Sequence, residues 1–186
     1  MAGAPVDDQA AGRVRDGRGM TTIPVLRTSR LTLRAIRVED HADLLALACD
    51  PDVMRYMHEG PTPTPADVWN RMAGALGQWA LRGYGMMVVE DREGFAGRLG
   101  FFHPYGATAP LLVYAIASRA WGKGYASEGA RAALDWIMAT HRPRRIGSNI
   151  DPSNTASARV AQKLGAIPEG TTDWTGVTLD VWAYYP

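Results

Sequence analysis

Apolar positions recur along this chain at two periods, and the switch from one to the other marks its elements. Residues 31–34, Leu-Thr-Leu-Arg, alternate at period two and predict a strand with one wet face. Asp40 then stands as an N-cap for a helix carrying Leu44, Leu45, Leu47 and Ala48, stopped before Pro51. Thr64 and Pro65 open a second helix whose apolar stripe is Val68, Met72, Leu76 and Trp79, with Gly83 as its C-terminal stop. Residues 86–89 and 97–102 predict two strands around the turn signal at 91–94. Residues 111–117 form a near-continuous apolar run, the pattern of a strand covered on both faces. A helix follows with Ala126, Ala130, Ala133, Leu134 and Ile137 inward and Arg131 and Asp135 outward. A short strand at 145–150 comes next, then a helix headed by Asn154 with Val160, Ala161 and Leu164 inward, ended by Gly165. A last alternating strand spans 178–184. Helices and strands alternate, so the fold class is α/β or α+β, a sheet with helices packed on it.

Composition narrows this modestly. With 186 residues, 46% of them hydrophobic, and a net charge of +1, the chain reads as one globular domain, residues 21–186, with no call for nucleic acid or an anionic membrane. Residues 1–20 are rich in Gly, Ala, Asp and Arg, lack a hydrophobic core of a signal peptide, and are expected to be a disordered tail. A single cysteine, Cys49, rules out an internal disulfide and points to a reducing, cytoplasmic setting, with the thiol as a small core residue on the first helix. The association state is expected to be monomer or homodimer.

The stretch after the apolar run carries the candidate chemistry. Gly122 and Gly124 precede Tyr125, Ala126 and Ser127, the predicted first turn of a helix. Glycine lets backbone approach a ligand without a Cβ, and the free N–H groups of a first turn favour an anion. Arg119 and Lys123 add positive charge. Gly122-Lys123-Gly124 lacks the hydroxyl residue of a Walker A loop, and its late place in the chain fits a Rossmann fingerprint poorly.

The run RAWGKG, residues 119–124, resembles instead the R/Q-x-x-G-x-G/A loop of the GCN5-related N-acetyltransferases (GNATs). NIDPSNTASARVAQKLGA, residues 149–166, is similar to that superfamily's second cofactor segment. TSRLTLRAIRVEDHADLLALACDPDVMRYM, residues 28–57, resembles the opening of its ribosomal-protein-alanine-acetyltransferase-like branch. The resemblance implies a central mixed, mostly antiparallel sheet that splays between its fourth and fifth strands, with helices on both faces. It implies acetyl-CoA as co-substrate and no metal. The pyrophosphate would lie on the N–H groups around Trp121, Gly122, Lys123, Gly124, Tyr125, Ala126 and Ser127. Ile116 and Ala117 would offer backbone hydrogen bonds to the pantetheine arm, Asn154 would contact it, and Arg159 and Lys163 would be candidates for the nucleotide phosphates.

Two positions depart from the pattern. Leu111 stands where many relatives carry a glutamate base, and Ala161 where many carry a tyrosine that protonates the thiolate; a thiol with a pKa near 8.5 is a tolerable leaving group without it. The candidate catalytic groups that remain are Glu169, in IPEG, and Asp180, each readable also as a plain surface carboxylate. His103 is a possible base or an ordinary turn histidine, and Trp69, Trp79, Tyr84 and Trp174 could line an acceptor cleft or be core. The expected activity is acetyl transfer from acetyl-CoA to a primary amine, a protein N-terminus or a small molecule, in a ternary complex. The alternatives are transfer of another acyl group such as succinyl, or a non-catalytic acyl-CoA-binding domain.

Overall fold

A computed structural model describes residues 12–16, 19–58 and 60–186. Gly12–Asp16 (β1) and Gly19–Ile23 (β2) form an antiparallel ribbon. The remaining strands are Leu26–Arg27 (β3), Thr32–Arg34 (β4), Met86–Asp91 (β5), Gly94–Phe102 (β6), Leu111–Ile116 (β7), Ile146–Ile150 (β8), Ile167–Trp174 (β9) and Val177–Tyr184 (β10). They build one eight-stranded sheet in the order β3-β4-β5-β6-β7-β8-β10-β9. Every pairing is antiparallel except that of β7 with β8. The helices are His41–Cys49 (α1), Pro51–Met54 (α2), Pro65–Arg82 (α3), Tyr125–Thr140 (α4) and Thr155–Lys163 (α5).

Helices cover both faces. Alternation along β5 sorts the two cores: Met87 and Val89 join the α4 and α5 side with Leu99, Ala130, Ile137 and Ala161, while Met86 and Val88 join the α1 and α3 side with Leu44, Val68 and Met72. Helix α3 follows its sequence signals end to end. Thr64 accepts from the Asp67 N–H, Asp67 returns the bond to the Thr64 N–H, and Gly83 closes the helix in the left-handed region at φ 74°. No helix among the described residues is long and apolar enough to cross a membrane.

Three expectations meet a different arrangement, and one strand has no counterpart in the sequence pattern. Part of the expected tail is paired: β1 and β2 lie within residues 12–23, anchored by a fully buried Ile23, while residues 1–11 and 17–18 lie outside the described residues. Strand β9 carries no alternation because it is an edge strand, largely exposed on both faces. Asp40 makes no side-chain cap for α1. It is a buried ion-pair partner, gripping Arg34 through two bonds of 2.8 and 2.7 Å, with Glu90 at 2.6 Å on the same guanidinium. Cys49 is exposed rather than core.

The sheet parts at one seam. Strands β7 and β8, the fourth and fifth of the sequence reading, pair only at Leu111 and Gly147. One residue further on, the buried Ser148 hydroxyl donates to the Leu112 carbonyl at 2.9 Å, satisfying an acceptor that a diverging strand no longer reaches. Beyond that point the strands splay.

Candidate active site

The glycine loop turns the chain from β7 into α4. Gly122 and Gly124 hold φ values of 74° and 79°, a region costly for any residue with a Cβ. A Cβ on Gly122 would meet nothing within 4 Å, so the surface above it is open. The first intrahelical bond of α4 runs from the Glu128 N–H to the Gly124 carbonyl, which leaves the N–H groups of Tyr125, Ala126 and Ser127 without helical acceptors. Together these groups border a cavity of about 470 Å³ lined by Arg30, Gly122, Lys123, Gly124, Ser127, Glu128, Arg131, Lys163 and Leu164.

Four cationic side chains thus face one carboxylate in this cavity. That carboxylate, Glu128, accepts from the Thr28 hydroxyl at 2.5 Å, the Arg30 N–H at 3.1 Å and the Arg30 Nε at 2.7 Å. Burial pushes its pKa up, but the Thr28, Arg30 and Ser29 donors outweigh it and hold the group below its ordinary value of 4.5. Glu128 therefore fixes Arg30 over the loop, where the guanidinium also donates to the Lys123 carbonyl at 2.8 Å and lies 5.0 Å from the Tyr125 ring centre. Arg30 and Arg131 were not singled out from sequence. Arg30 lies 93 positions from the carbonyl it grips, and Arg131 reads as the wet side of a helix. Lys163, which was singled out, lines the cavity; Arg159 does not.

Arg119 is elsewhere. Its guanidinium donates to both Asp91 oxygens at 3.0 and 3.1 Å and to the Phe95 carbonyl. It clamps the turn between β5 and β6, and the Asp91 side chain beneath it is 1% exposed. Arg119→Ala should therefore lower the melting temperature while leaving CoA affinity near its wild-type value. An affinity loss without a thermal shift would return Arg119 to the phosphate site.

The splay exposes backbone along β7. The Pro110 and Leu112 carbonyls point toward β8, accepting from the Gly147 N–H and Ser148 Oγ at 2.9 Å each. Strand alternation then aims the main-chain groups of Tyr114 and Ile116 into the opening. The Ile116 carbonyl accepts from the Trp121 indole N–H at 2.7 Å, and in an extended strand its N–H points to the same side. Ala117 differs from the expectation: its N–H donates to Ala96 and its carbonyl accepts from Ala120. Across the opening, the Tyr114 hydroxyl reaches Ser157 Oγ at 2.6 Å. Burial, the larger influence, pushes the phenol up to about 12 against the opposing Ser157 bond, so it stays protonated at neutral pH. Asn154 caps α5 by accepting from the Ser157 N–H at 3.0 Å, which leaves its amide NH2 for another acceptor.

Of the two carboxylates singled out from sequence, Glu169 lies away from the seam and Asp180 lies on the strand beside it. Glu169 sits on β9, two strands beyond β8, or roughly 10 Å at the usual strand spacing. Arg145 donates to it at 2.6 and 2.9 Å and Tyr185 donates to its other oxygen. Arg145 first, then Tyr185, hold its pKa below the ordinary 4.5, which weakens it as a base. Asp180 pairs in register with Ile150 at the open end of β8. His103 has both ring nitrogens engaged, with the Tyr84 hydroxyl at 2.6 Å and the Ala107 carbonyl at 3.0 Å. Trp79 is core, donating to the Met86 carbonyl at 2.9 Å, whereas Trp69 is half exposed.

A second cavity, about 280 Å³, lies on the α1 and α3 side, lined by residues that include Cys49, Asp50, Arg55, His58, Pro63 and Arg71. Its wall is tethered to both lips of the splay. Asp50 accepts from the Ser118 hydroxyl at 3.2 Å, just past β7, and His58 Nε2 lies 2.7 Å from Asp151, just past β8.

Residues 30–167 match the acetyltransferase (GNAT) domain family, and the chain belongs to it. As a GNAT N-acetyltransferase it uses acetyl-CoA. It is 35% identical over 147 residues to the uncharacterized protein YkkB of Bacillus subtilis (strain 168), covering 75% of this chain and 83% of that one. It is 28% identical to an acetyltransferase from Agrobacterium tumefaciens str. C58, with a TM-score of 0.78 over 88% of this chain and 95% of the other. The ribosomal L7/L12 alpha-N-protein acetyltransferase RimL, solved with coenzyme A, shares the fold at 19% identity and a TM-score of 0.75, over 87% of this chain and 97% of that one.

The residues fit acetyl-CoA. An open, Cβ-free surface at Gly122, free helix N–H groups and four cations suit its phosphates. The unpaired edge of β7 suits an amide-bearing arm.

Proposed function

We propose that this enzyme passes an acetyl group directly from acetyl-CoA to a primary amine, with both substrates bound at once. One observation carries the reading. A cationic cavity borders the start of α4 on one face, and on the α1 and α3 face a second cavity has its wall bonded to Ser118, just past β7, and to Asp151, just past β8. A donor held from one side and an acceptor from the other meet in the splay, which favours direct transfer over an acyl-enzyme.

Acetyl-CoA supplies the thioester carbonyl. The chain supplies position and polarity around it. The first turn of α4 and the cations hold phosphate, and the Ile116 N–H is placed to donate to a carbonyl oxygen that gains charge. The acceptor must arrive as free amine, yet an alkyl ammonium has a pKa near 10.4, so about one molecule in a thousand is nucleophilic at neutral pH.

Two measurements test this. CoA at 100 times its dissociation constant should add about 2.7 kcal/mol, raising the melting temperature by about 5–11 °C at roughly 2–4 °C per kcal/mol. Thiol release from acetyl-CoA should then depend on an added amine, across a panel of peptide N-termini, polyamines and aminoglycosides. Cys49→Ser should keep that activity, because no acyl-cysteine lies on the path. Tight CoA binding with no amine-dependent release would instead establish a binding domain, and faster release from succinyl-CoA would change the acyl group.

A further inference from the structure

The reading above does not say which group takes the amine's proton: Leu111 and Ala161 stand where many relatives carry titratable groups, and Glu169 is engaged two strands away. We propose that His58, held by Asp151 at the mouth of the splay, takes that proton. The inference rests on direct acetyl transfer being the reaction.

Three observations converge on His58. It lines the second cavity, so a molecule seated there meets the imidazole. Its Nε2 lies 2.7 Å from Asp151 Oδ2. Asp151 is ionised: burial pushes its pKa up, but the Ser153 N–H and His58 hold it below the ordinary 3.8. An ionised carboxylate only accepts, so Nε2 carries the hydrogen toward Asp151 and Nδ1 is the ring atom left to accept. The backbone of His58 stands at φ 48°, in the left-handed region where a side chain with a Cβ rarely sits. Such a conformation is kept where surrounding contacts impose it, and here it delivers the ring across 93 positions to the end of β8.

Among the described residues, four charged groups border the ring or its cavity. Asp151 faces it from just past β8; Asp50, Arg55 and Arg71 line the same cavity from the α1–α2 junction, the turn after α2 and α3. Arg55 is paired with Asp52 at 2.7 Å, and Asp50 with Ser118. In the transfer, the amine nitrogen bonds to the thioester carbonyl carbon and the C–S bond breaks with its electron pair on sulfur. The surplus proton on nitrogen passes to Nδ1 of His58 and from there to solvent. Asp151 is a positioning residue: it fixes the tautomer and steadies the imidazolium.

The test uses the full chain. His58→Gln should lower kcat by about 10²–10⁴-fold with an amine that the wild type acetylates. It should remove one limb of the pH–rate profile and leave the CoA-induced thermal shift intact. Asp151→Asn should alter that limb while leaving CoA affinity near its wild-type value, since an amide no longer holds the Nε2–H tautomer. Nitrogen NMR of the free protein supplies a readout independent of turnover: His58 should show a protonated Nε2 and a bare Nδ1 in the wild type, and mixed tautomers in Asp151→Asn. Wild-type turnover and an unchanged profile in a folded His58→Gln overturn the proposal. So does loss of the limb in Glu169→Gln while His58→Gln keeps it, which puts the base on β9. A wild type that releases no thiol with any amine defeats the transferase reading itself, a result distinct from either.

Discussion

Asp40→Ala is expected to destabilise the fold by roughly 3–5 kcal/mol, the usual cost of removing one partner of a buried ion pair. At about 2–4 °C per kcal/mol, that is a fall of about 6–20 °C in melting temperature. The reason is what it leaves behind. Arg34 is 6% exposed, and its charge is compensated by Asp40 and, through one nitrogen, by Glu90. Without Asp40, the Arg37 N–H also loses its 2.7 Å acceptor, and the turn into α1 loosens. Replacing both ends, Arg34→Met with Asp40→Leu, should recover most of the loss, because paired apolar side chains of similar size need no compensation. Glu90, one-third exposed, can turn to water. The pH dependence follows from Asp40. Burial raises its pKa, but the Arg34 and Arg37 donors outweigh that and hold it below 3.8. Its contribution is therefore complete above about pH 4 and disappears as pH falls through the lowered value. Wild type and Asp40→Asn should differ in melting temperature at pH 7 and converge in strong acid. Equal gaps at every pH would mean the charge is not what matters.

Arg30→Ala should raise the dissociation constant for CoA by about 10–100-fold, the equivalent of losing a charge-assisted hydrogen bond worth about 1.5–3 kcal/mol. Arg30 lines the cationic cavity and ties its floor, donating to the Lys123 carbonyl at 2.8 Å. The loss should shrink at high salt, since half of the guanidinium is exposed. Arg30→Lys should restore part of the affinity through charge but not the bond to Lys123, because a point charge cannot grip Glu128 and a carbonyl as a planar fork does. Calorimetry with CoA and with dephospho-CoA would show which phosphate the cations serve. An affinity in Arg30→Ala equal to the wild type at low salt would remove Arg30 from the phosphate site.

What could be read from the sequence was local. Helix α3 is written within its own residues by Thr64, Pro65 and Gly83, and the glycine loop by two positions two apart. Contacts between distant segments were not legible. Arg30 reaches Glu128 across 98 positions and His58 reaches Asp151 across 93; neither has a local signature. Arg119 adjoins the loop in sequence while its side chain runs the other way, to Asp91, and that direction has no local signature. The same holds at Ala117: one residue along a strand reverses the direction of its N–H. Strand β9 was invisible because a strand exposed on both faces has no reason to alternate.

The outer boundary of the sheet at β9 has a consequence for how this protein behaves in a crowded solution. An open edge eight residues long offers a row of main-chain donors and acceptors on which another chain's strand could grow. Here the row is spoiled. Pro168 removes a donor, the register with β10 shifts between Val181 and Trp182, and exposed Asp173 places negative charge along the margin. Residues that add little to the core thus guard solubility, and replacing both Pro168 and Asp173 with β-branched residues would turn a quiet margin into a seed for fibrils.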